Sequence, residues 1–264
     1  MGNDCPFLLK TMPSLTVALI VKNEGSNLTA CLEACSGLGA ELLVIDGGSV
    51  DNTVEIAQKL GARVVSHPEW RGFGHQRQIA QEHITTDWVL WLDADERLTP
   101  TLKASIREAV DADRGQTVYK ISRLSWVFGR FIRHSGWYPD HVVRLYPTGL
   151  TRYNDAPVHE HVVVPPNVTV KTLAGDLEHY TYRDLQHYLV KSAHYAHLWA
   201  EQRFKLGKRA SLSQGVIHAV GCFLKMYVIK AGFLDGRQGF LLALLSAHST
   251  FAKYADLWIK RQPQ

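Results

Sequence analysis

The most constraining feature of this chain is a recurrence in roughly its first hundred residues: a short apolar run, a helix-forming stretch, then another apolar run. Leu15–Lys22 (LTVALIVK) is apolar on both faces, as a parallel strand covered on both sides requires. Ser26 is placed to cap a helix to about Ser36, and Glu41–Asp46 is the next strand. Asp51–Leu60 predicts a second helix stopped by Gly61, Ala62–Ser66 a third strand, His75–Ile84 a third helix and Asp87–Leu92 a fourth strand. Pro100, after Thr99, suits the first turn of another helix, where its missing N–H costs nothing. Strands separated by single helices imply a parallel, doubly wound sheet.

After about Asp113 the texture changes. Thr117–Val127, His141–Tyr146, His161–Val164 and Val168–Leu173 read as strands, the last two separated by Pro165-Pro166. From Tyr182 the chain reads as helical, in about three segments divided near Gly207 and Gly232–Gly236. This predicts a catalytic domain over 13–180 and a helical, basic and apolar extension over 181–264. Charge follows the same division: from Leu185 onward eleven Lys/Arg face three Asp/Glu, whereas the remainder holds eighteen against twenty-two. An acidic front suits a divalent cation, and a basic tail an anionic lipid or acceptor.

Four cysteines make no disulfide framework in 264 residues. Cys31 and Cys35, one helical turn apart, read as buried thiols rather than a metal pair. No basic region followed by an apolar run opens the chain, and Pro6 stands where a myristoylation signal needs Ser or Thr. A cytoplasmic location is expected.

Ligands of open α/β sheets bind beyond the carboxyl ends of the strands. Three polar clusters fall there: Lys22-Asn23-Glu24, Asp46-Gly47-Gly48-Ser49-Val50-Asp51-Asn52-Thr53, and Asp93-Ala94-Asp95-Glu96. Any one is an ordinary polar loop, but three on one edge point to a shared ligand. Two carboxylates in Asp-x-Asp repel unless a cation lies between them, and hard oxygen donors suit Mg²⁺ or Mn²⁺. Asp46 can accept from a base or ribose, Gly47-Gly48 permits close backbone approach, and Ser49 or Asp51 can cap the helix. There is no GxGxxG or GxxxxGK[ST] pattern, which disfavours a dinucleotide site or a P-loop.

Ile20-Val21-Lys22-Asn23-Glu24, Asp46-Gly47-Gly48-Ser49-x-Asp51-x-Thr53 and Asp93-Ala94-Asp95 closely resemble the three nucleotide-binding motifs of family 2 glycosyltransferases. The resemblance implies an α/β GT-A (Rossmann-like) fold with a mixed sheet and a C-terminal helical extension. It implies a nucleotide-sugar site of Asn23, Glu24, Asp46, Gly48, Ser49, Arg77 and Asp93, with metal bound by Asp95, Asp93 and His161. Arg77, in Gly72-Phe73-Gly74-His75-Gln76-Arg77, is either a diphosphate contact or a solvated helix arginine. Inversion needs one general base. Asp140, in Trp137-Tyr138-Pro139-Asp140 with Arg144 following, resembles the family's catalytic segment, although Pro139 replaces an acid. Glu160 is its competitor, and His159 or His161 can complete the metal shell or be surface histidines.

Across nearly the whole chain, His159-Glu160, Tyr188-x-x-Lys191 and Phe233-Leu234-Asp235-Gly236-x-x-Gly239 with Lys253-Tyr254 are similar to lipopolysaccharide inner-core β-1,4-glucosyltransferases. That resemblance implies UDP-glucose as donor and a lipid-anchored saccharide, the first heptose of the core, as acceptor. It implies a peripheral position on the inner face of the inner membrane, and no nucleic acid is expected as partner. In Ser211–Gly232, Ser211, Gln214, His218 and Lys225 share one strip of a helical wheel and nearly everything else is apolar. The segment is either packed in a core or lies in the plane of an anionic membrane surface. The rival functions are a nucleotidyltransferase and a non-catalytic membrane-peripheral protein on the same scaffold.

Overall fold

The computed structural model describes residues 13–112, 115–156 and 160–262. Its first half follows the alternation of the sequence: β1 (Leu15–Val21), α1 (Gly25–Ala34), β2 (Glu41–Asp46), α2 (Thr53–Lys59), β3 (Arg63–Ser66), α3 (Phe73–Glu82), β4 (Trp88–Leu92), β5 (Glu96–Leu98) and α4 (Pro100–Ala112). Then come β6 (Thr117–Val127), β7 (Arg130–Phe131), β8 (Asp140–Pro147) and β9 (Thr169–Tyr182). Helices α5 (Leu185–Lys205), α6 (Leu212–Leu224) and α7 (Gly236–Ile259) complete the chain.

The strand order is β3-β2-β1-β4-β8-β6-β9-β5, with β7 paired to β6. β1, β2, β3 and β4 pair in parallel, and β8 joins β4 antiparallel. The sheet is therefore mixed, as the resemblance implied, parallel through its first half and antiparallel where β8 joins it, with helices following at the C-terminal side of the sequence. All seven residues of β1 are buried, and each such Leu, Val or Ile contributes about 1.5–3 kcal/mol. Cores form on both faces: Leu15, Val17 and Leu19 belong to one, and Ala18, Ile20 and Trp91 to the other.

Two compact units divide the chain: residues 1–122 with 141–177, and 123–140 with 178–264. The second unit has its own core of Val127, Ile132, Tyr188 and Leu242. Within it the Phe233-Leu234-Asp235-Gly236-x-x-Gly239 motif finds a structural explanation. Asp235 is buried, and its carboxylate accepts from the backbone N–H groups of Arg133 and His134 at 3.1 and 2.9 Å. A Cβ on Gly239 would lie 1.9 Å from the Gly232 carbonyl oxygen, so the 3-10 turn and the start of α7 meet only through glycines.

Several local expectations need correction. Among the described residues, His161–Val164 forms no strand, only a bridge between Val162 and Tyr153. Pro165-Pro166 removes two donors and restrains the residue before it, which ends the pairing. Ser26 lies inside α1 and does not cap it. The second helix begins at Thr53, where Asp51 Oδ1 accepts from the Thr53 N–H at 3.1 Å. Cys31 and Cys35 are buried free thiols, and burial pushes the Cys35 thiol up to about 12.

Candidate active site

Val21 and Asp46 are register partners at the carboxyl ends of β1 and β2. Their following loops are stapled together. Asn23 takes a left-handed conformation (φ 57°), which Asn tolerates better than most residues. Its N–H donates to Ser49 Oγ, and its Oδ1 accepts from the Val50 N–H, both at 2.8 Å. The Glu24 N–H donates to Thr53 Oγ1 at 2.9 Å, and Glu24 Oε2 accepts from Asn27 Nδ2 at 2.9 Å. Asp46, almost wholly buried, accepts from the N–H groups of Gly48 and Ser49 at 3.1 Å each. That turn needs the positive φ of 84° at Gly48, which glycine supplies without strain. The Asp46 carboxylate is thus engaged with its own loop, although a carboxylate carries further acceptor sites for a ribose or base. Asp51 accepts from Thr53 and from the Gly25 N–H, and these bonds, the Thr53 hydroxyl first, hold its carboxyl below the usual range.

The end of β4 is built differently. Asp93 and Glu96 close a tight turn: the Glu96 N–H donates to the Asp93 carbonyl, and the Asp93 N–H to Glu96 Oε2, each at 2.9 Å. Arg77, buried on the inner face of α3, donates through Nη2 to Asp93 Oδ1 at 2.5 Å. Arg144, buried in β8, donates to Asp93 Oδ2 and, at 2.7 Å, to Glu96 Oε1. Glu160 Oε1 lies 3.4 Å from Arg77 Nε. The guanidinium carbon of Arg77 also stands 4.7 Å from the Tyr153 ring centroid and 5.3 Å from that of Trp91. Trp91 Nε1 donates to the Tyr146 hydroxyl at 2.7 Å, which in turn donates to Gln81 at 3.1 Å. Burial raises the Asp93 carboxyl, but the Arg144 and Arg77 guanidiniums outweigh it and hold Asp93 well below the usual carboxylate range. Among the described residues, the buried Arg77 Nη1 and Arg144 Nε find no hydrogen-bond partner.

Gly74 explains how Tyr153 and Glu160 come to α3. A Cβ there would lie 2.2 Å from the Asn154 carbonyl oxygen, and the Gly74 N–H donates to the Ala156 carbonyl at 3.1 Å. Any side chain at this position would lift the 153–156 segment away from Arg77.

The first unit therefore holds Asn23, Glu24, Asp46, Gly48, Ser49, Arg77, Asp93, Asp95 and Glu160. Asp95 is half-buried in the turn from β4 to β5. Arg77 is neither solvated nor presented on a surface; it clamps Asp93. His161 is exposed, with Nδ1 3.2 Å from Asn154 Nδ2 and its N–H on Asn154 Oδ1. His159 lies outside the described residues. Among the described residues, no three His, Cys, Asp or Glu side chains converge as a metal shell. Asp140 belongs to the second unit, where Arg123 Nε and Nη2 both donate to its Oδ2, at 2.9 and 2.5 Å. Sequence reasoning placed Glu96 in the third cluster without a role of its own and missed the clamp that Arg144 makes on it and on Asp93. The available signals were a charged residue inside an apolar strand and an acid immediately after Asp-x-Asp.

A family model, Glycosyl transferase family 2, matches residues 16–171. An uncharacterised glycosyltransferase of Rickettsia prowazekii is 28% identical over 95% of this chain and 90% of its own length. The lipopolysaccharide core biosynthesis glycosyltransferase LpsC of Rhizobium meliloti is also 28% identical, over 92% of each chain. Among solved structures, glucosyl-3-phosphoglycerate synthase from Mycobacterium tuberculosis, in complex with Mn²⁺, UDP and glucosyl-3-phosphoglycerate, is 27% identical with a TM-score of 0.36. That match covers 43% of this chain and 44% of the synthase chain. The family match extends over more than half of the chain, from β1 into β9, and takes in all three strand-end clusters. The chain belongs to glycosyl transferase family 2.

Proposed function

We propose that the chain transfers a hexose, glucose from UDP-glucose, with inversion onto the heptose of a lipopolysaccharide inner core. It acts as a peripheral protein on the inner face of the inner membrane, on a lipid-anchored acceptor. The observation that carries the reading is the pairing of a stapled β1–β2 edge with a buried arginine clamp beneath the Asp-x-Asp turn. LpsC, a core-biosynthesis enzyme similar along nearly its whole length, supports the acceptor class.

In this reading Asn23, Glu24, Asp46, Gly48 and Ser49 line the nucleoside. Asp95 holds Mg²⁺ or Mn²⁺ together with oxygens of the donor diphosphate. The donor set fits, because Mg²⁺ is commonly bound by one or two carboxylates completed by substrate phosphates rather than by a protein cage. The ion supplies Lewis-acid stabilisation of the leaving diphosphate. Asp93 is a positioning residue: Arg77 and Arg144 fix its carboxylate, and its backbone sets the turn that presents Asp95. Asp93, Glu96 and Glu160 outnumber Arg77 and Arg144 in the clamp, so together with Asp95 this edge is net acidic and suits a cation between it and a diphosphate. Both candidate bases face an arginine, Glu160 the buried Arg77 and Asp140 the side chain of Arg123; Asp140, the more exposed of the two, is assigned as the base that takes the acceptor hydroxyl proton. His161, tied to Asn154, is assigned to its own loop. The 13–180 segment is the working catalytic domain and 181–264 the membrane-proximal extension.

Family membership displaces a nucleotidyltransferase. A non-catalytic scaffold is tested directly by incubating the full chain with UDP-glucose and other nucleotide sugars, with Mg²⁺, Mn²⁺ or chelator, and a heptose-bearing core acceptor. Metal-dependent release of UDP with glucosylated product is expected. No turnover with any donor would refute the enzymatic reading, and turnover with another sugar alone would refute glucose.

A further inference from the structure

Helix α6 and the π-helical turn continuing it to Ile229 carry apolar side chains toward solvent. Val216, Ile217, Val220, Leu224 and Ile229 are 52%, 68%, 54%, 48% and 75% exposed. On α6 they recur every three or four residues and so share a face, the inverse of the polar face that a water-facing helix presents. Phe233 and Leu234, in the following turn, are about half exposed as well. The other side of α6 rests on α7: a Cβ on Gly215 would lie 3.1 Å from both Phe251 and Tyr254, and the Phe223 and Phe240 rings meet edge to face.

Leu212–Ile229 is long and apolar enough to cross a bilayer. Its packing on α7 argues against that, since a spanning α6 would carry Lys253 and Asp256 of α7 toward hydrocarbon. Charge identifies the surface it fits. Between Gln202 and Ala255 there are eight Lys/Arg and one acid, Asp235, which is buried and already engaged. Lys208 and Arg209 precede α6, Lys225 and Lys230 end it, and all four are exposed. A second copy docking on the same face would bring these like charges together. An anionic headgroup layer above acyl chains complements both features.

We propose that α6 and the 225–234 turn lie in the plane of an anionic phospholipid membrane. Ile217, Val220 and Leu224 sit among acyl chains, and Lys208, Arg209 and Lys230 meet headgroup phosphates. This deepens the reading of a lipid-anchored acceptor and rests on it for its purpose, but vesicle binding is measured without sugar transfer.

The test is flotation of the full chain with vesicles of phosphatidylglycerol and phosphatidylethanolamine, beside vesicles of phosphatidylcholine alone. Flotation with the anionic vesicles is expected, weakened roughly tenfold or more on neutral ones. Ile217→Gln, Val220→Gln and Leu224→Gln combined abolish it with an unchanged thermal midpoint by circular dichroism, because these side chains are exposed. Lys208→Glu, Arg209→Glu and Lys230→Glu combined abolish binding to the anionic vesicles. Three results overturn the proposal: no flotation, equal flotation of the glutamine variant, or a dimer in sedimentation velocity that this variant dissolves while vesicles bind neither. Flotation without turnover on any donor would refute the enzymatic reading and leave the membrane surface standing.

Discussion

The two ends of the candidate site are held by different forces. At β1 and β2, Asn23, Asp46, Ser49, Asp51 and Thr53 tie two loops together through backbone N–H groups and hydroxyls. At β4, two buried arginines grip Asp93 and Glu96, with Glu160 beside them. Net contributions of single hydrogen bonds between neutral groups are about 1 kcal/mol. A buried ion cluster is cooperative, because removing one member strands the charges of the others. The first edge can be worn down bond by bond, whereas the second fails as a unit.

The largest effect should separate chemistry from this architecture. Asp95→Ala removes the proposed metal ligand and leaves Arg77, Arg144, Asp93 and Glu96 in place, so metal-dependent transfer should fall by about a thousandfold, several kcal/mol of transition-state stabilisation. Its urea midpoint should stay that of the native chain. Native turnover by this variant would end the metal assignment.

Arg144→Met should sharpen the contrast in stability. It leaves Glu96, wholly buried, and Asp93 short of a cation, and should cost about 3–5 kcal/mol by urea denaturation. A loss as small as that of a surface residue would show that the cluster is not cooperative.

Acid titration probes the same cluster more gently. The folded-state pKa of Asp93 is depressed, so its contribution is complete above the unfolded carboxylate value near ~3.9 and is lost as pH falls through and below it. Urea midpoints should therefore drop between about pH 5 and pH 3, with a shallower drop in Asp93→Asn. Equal slopes would place the acid sensitivity elsewhere.

Ser49→Ala should have the smallest effect. It removes the acceptor of the Asn23 N–H and should cost about 1 kcal/mol. A loss as large as that of Arg144→Met would mean that the neutral edge is cooperative too.

These contrasts follow a division in what local sequence can carry. β1 to β4 and the helices between them were legible because apolar runs and Gly or Pro stops are local signals. β5, three residues long, has no periodicity to detect. Val162-Val163-Val164 carries a strand's composition, yet the prolines after it leave a single bridge. The place of Asp93 and Asp95, just beyond an apolar strand, was readable from the sequence. The clamp was not, because Arg144 meets Asp93 across 51 residues and Glu160 meets Arg77 across 83. Likewise, the wheel of α6 displayed its apolar side chains but not which of them α7 covers.

Trp91 makes the clamp observable. It is one of seven tryptophans, and its indole N–H is held inside the sheet by Tyr146 while Arg77 stands over its ring. A proton so enclosed exchanges slowly with solvent, and its NMR frequency depends on the field of the guanidinium beside it. The Trp91 indole resonance is thus a built-in gauge of whether Arg77 shifts when a diphosphate arrives. It would register donor engagement in the absence of acceptor, before any glycosidic bond is made.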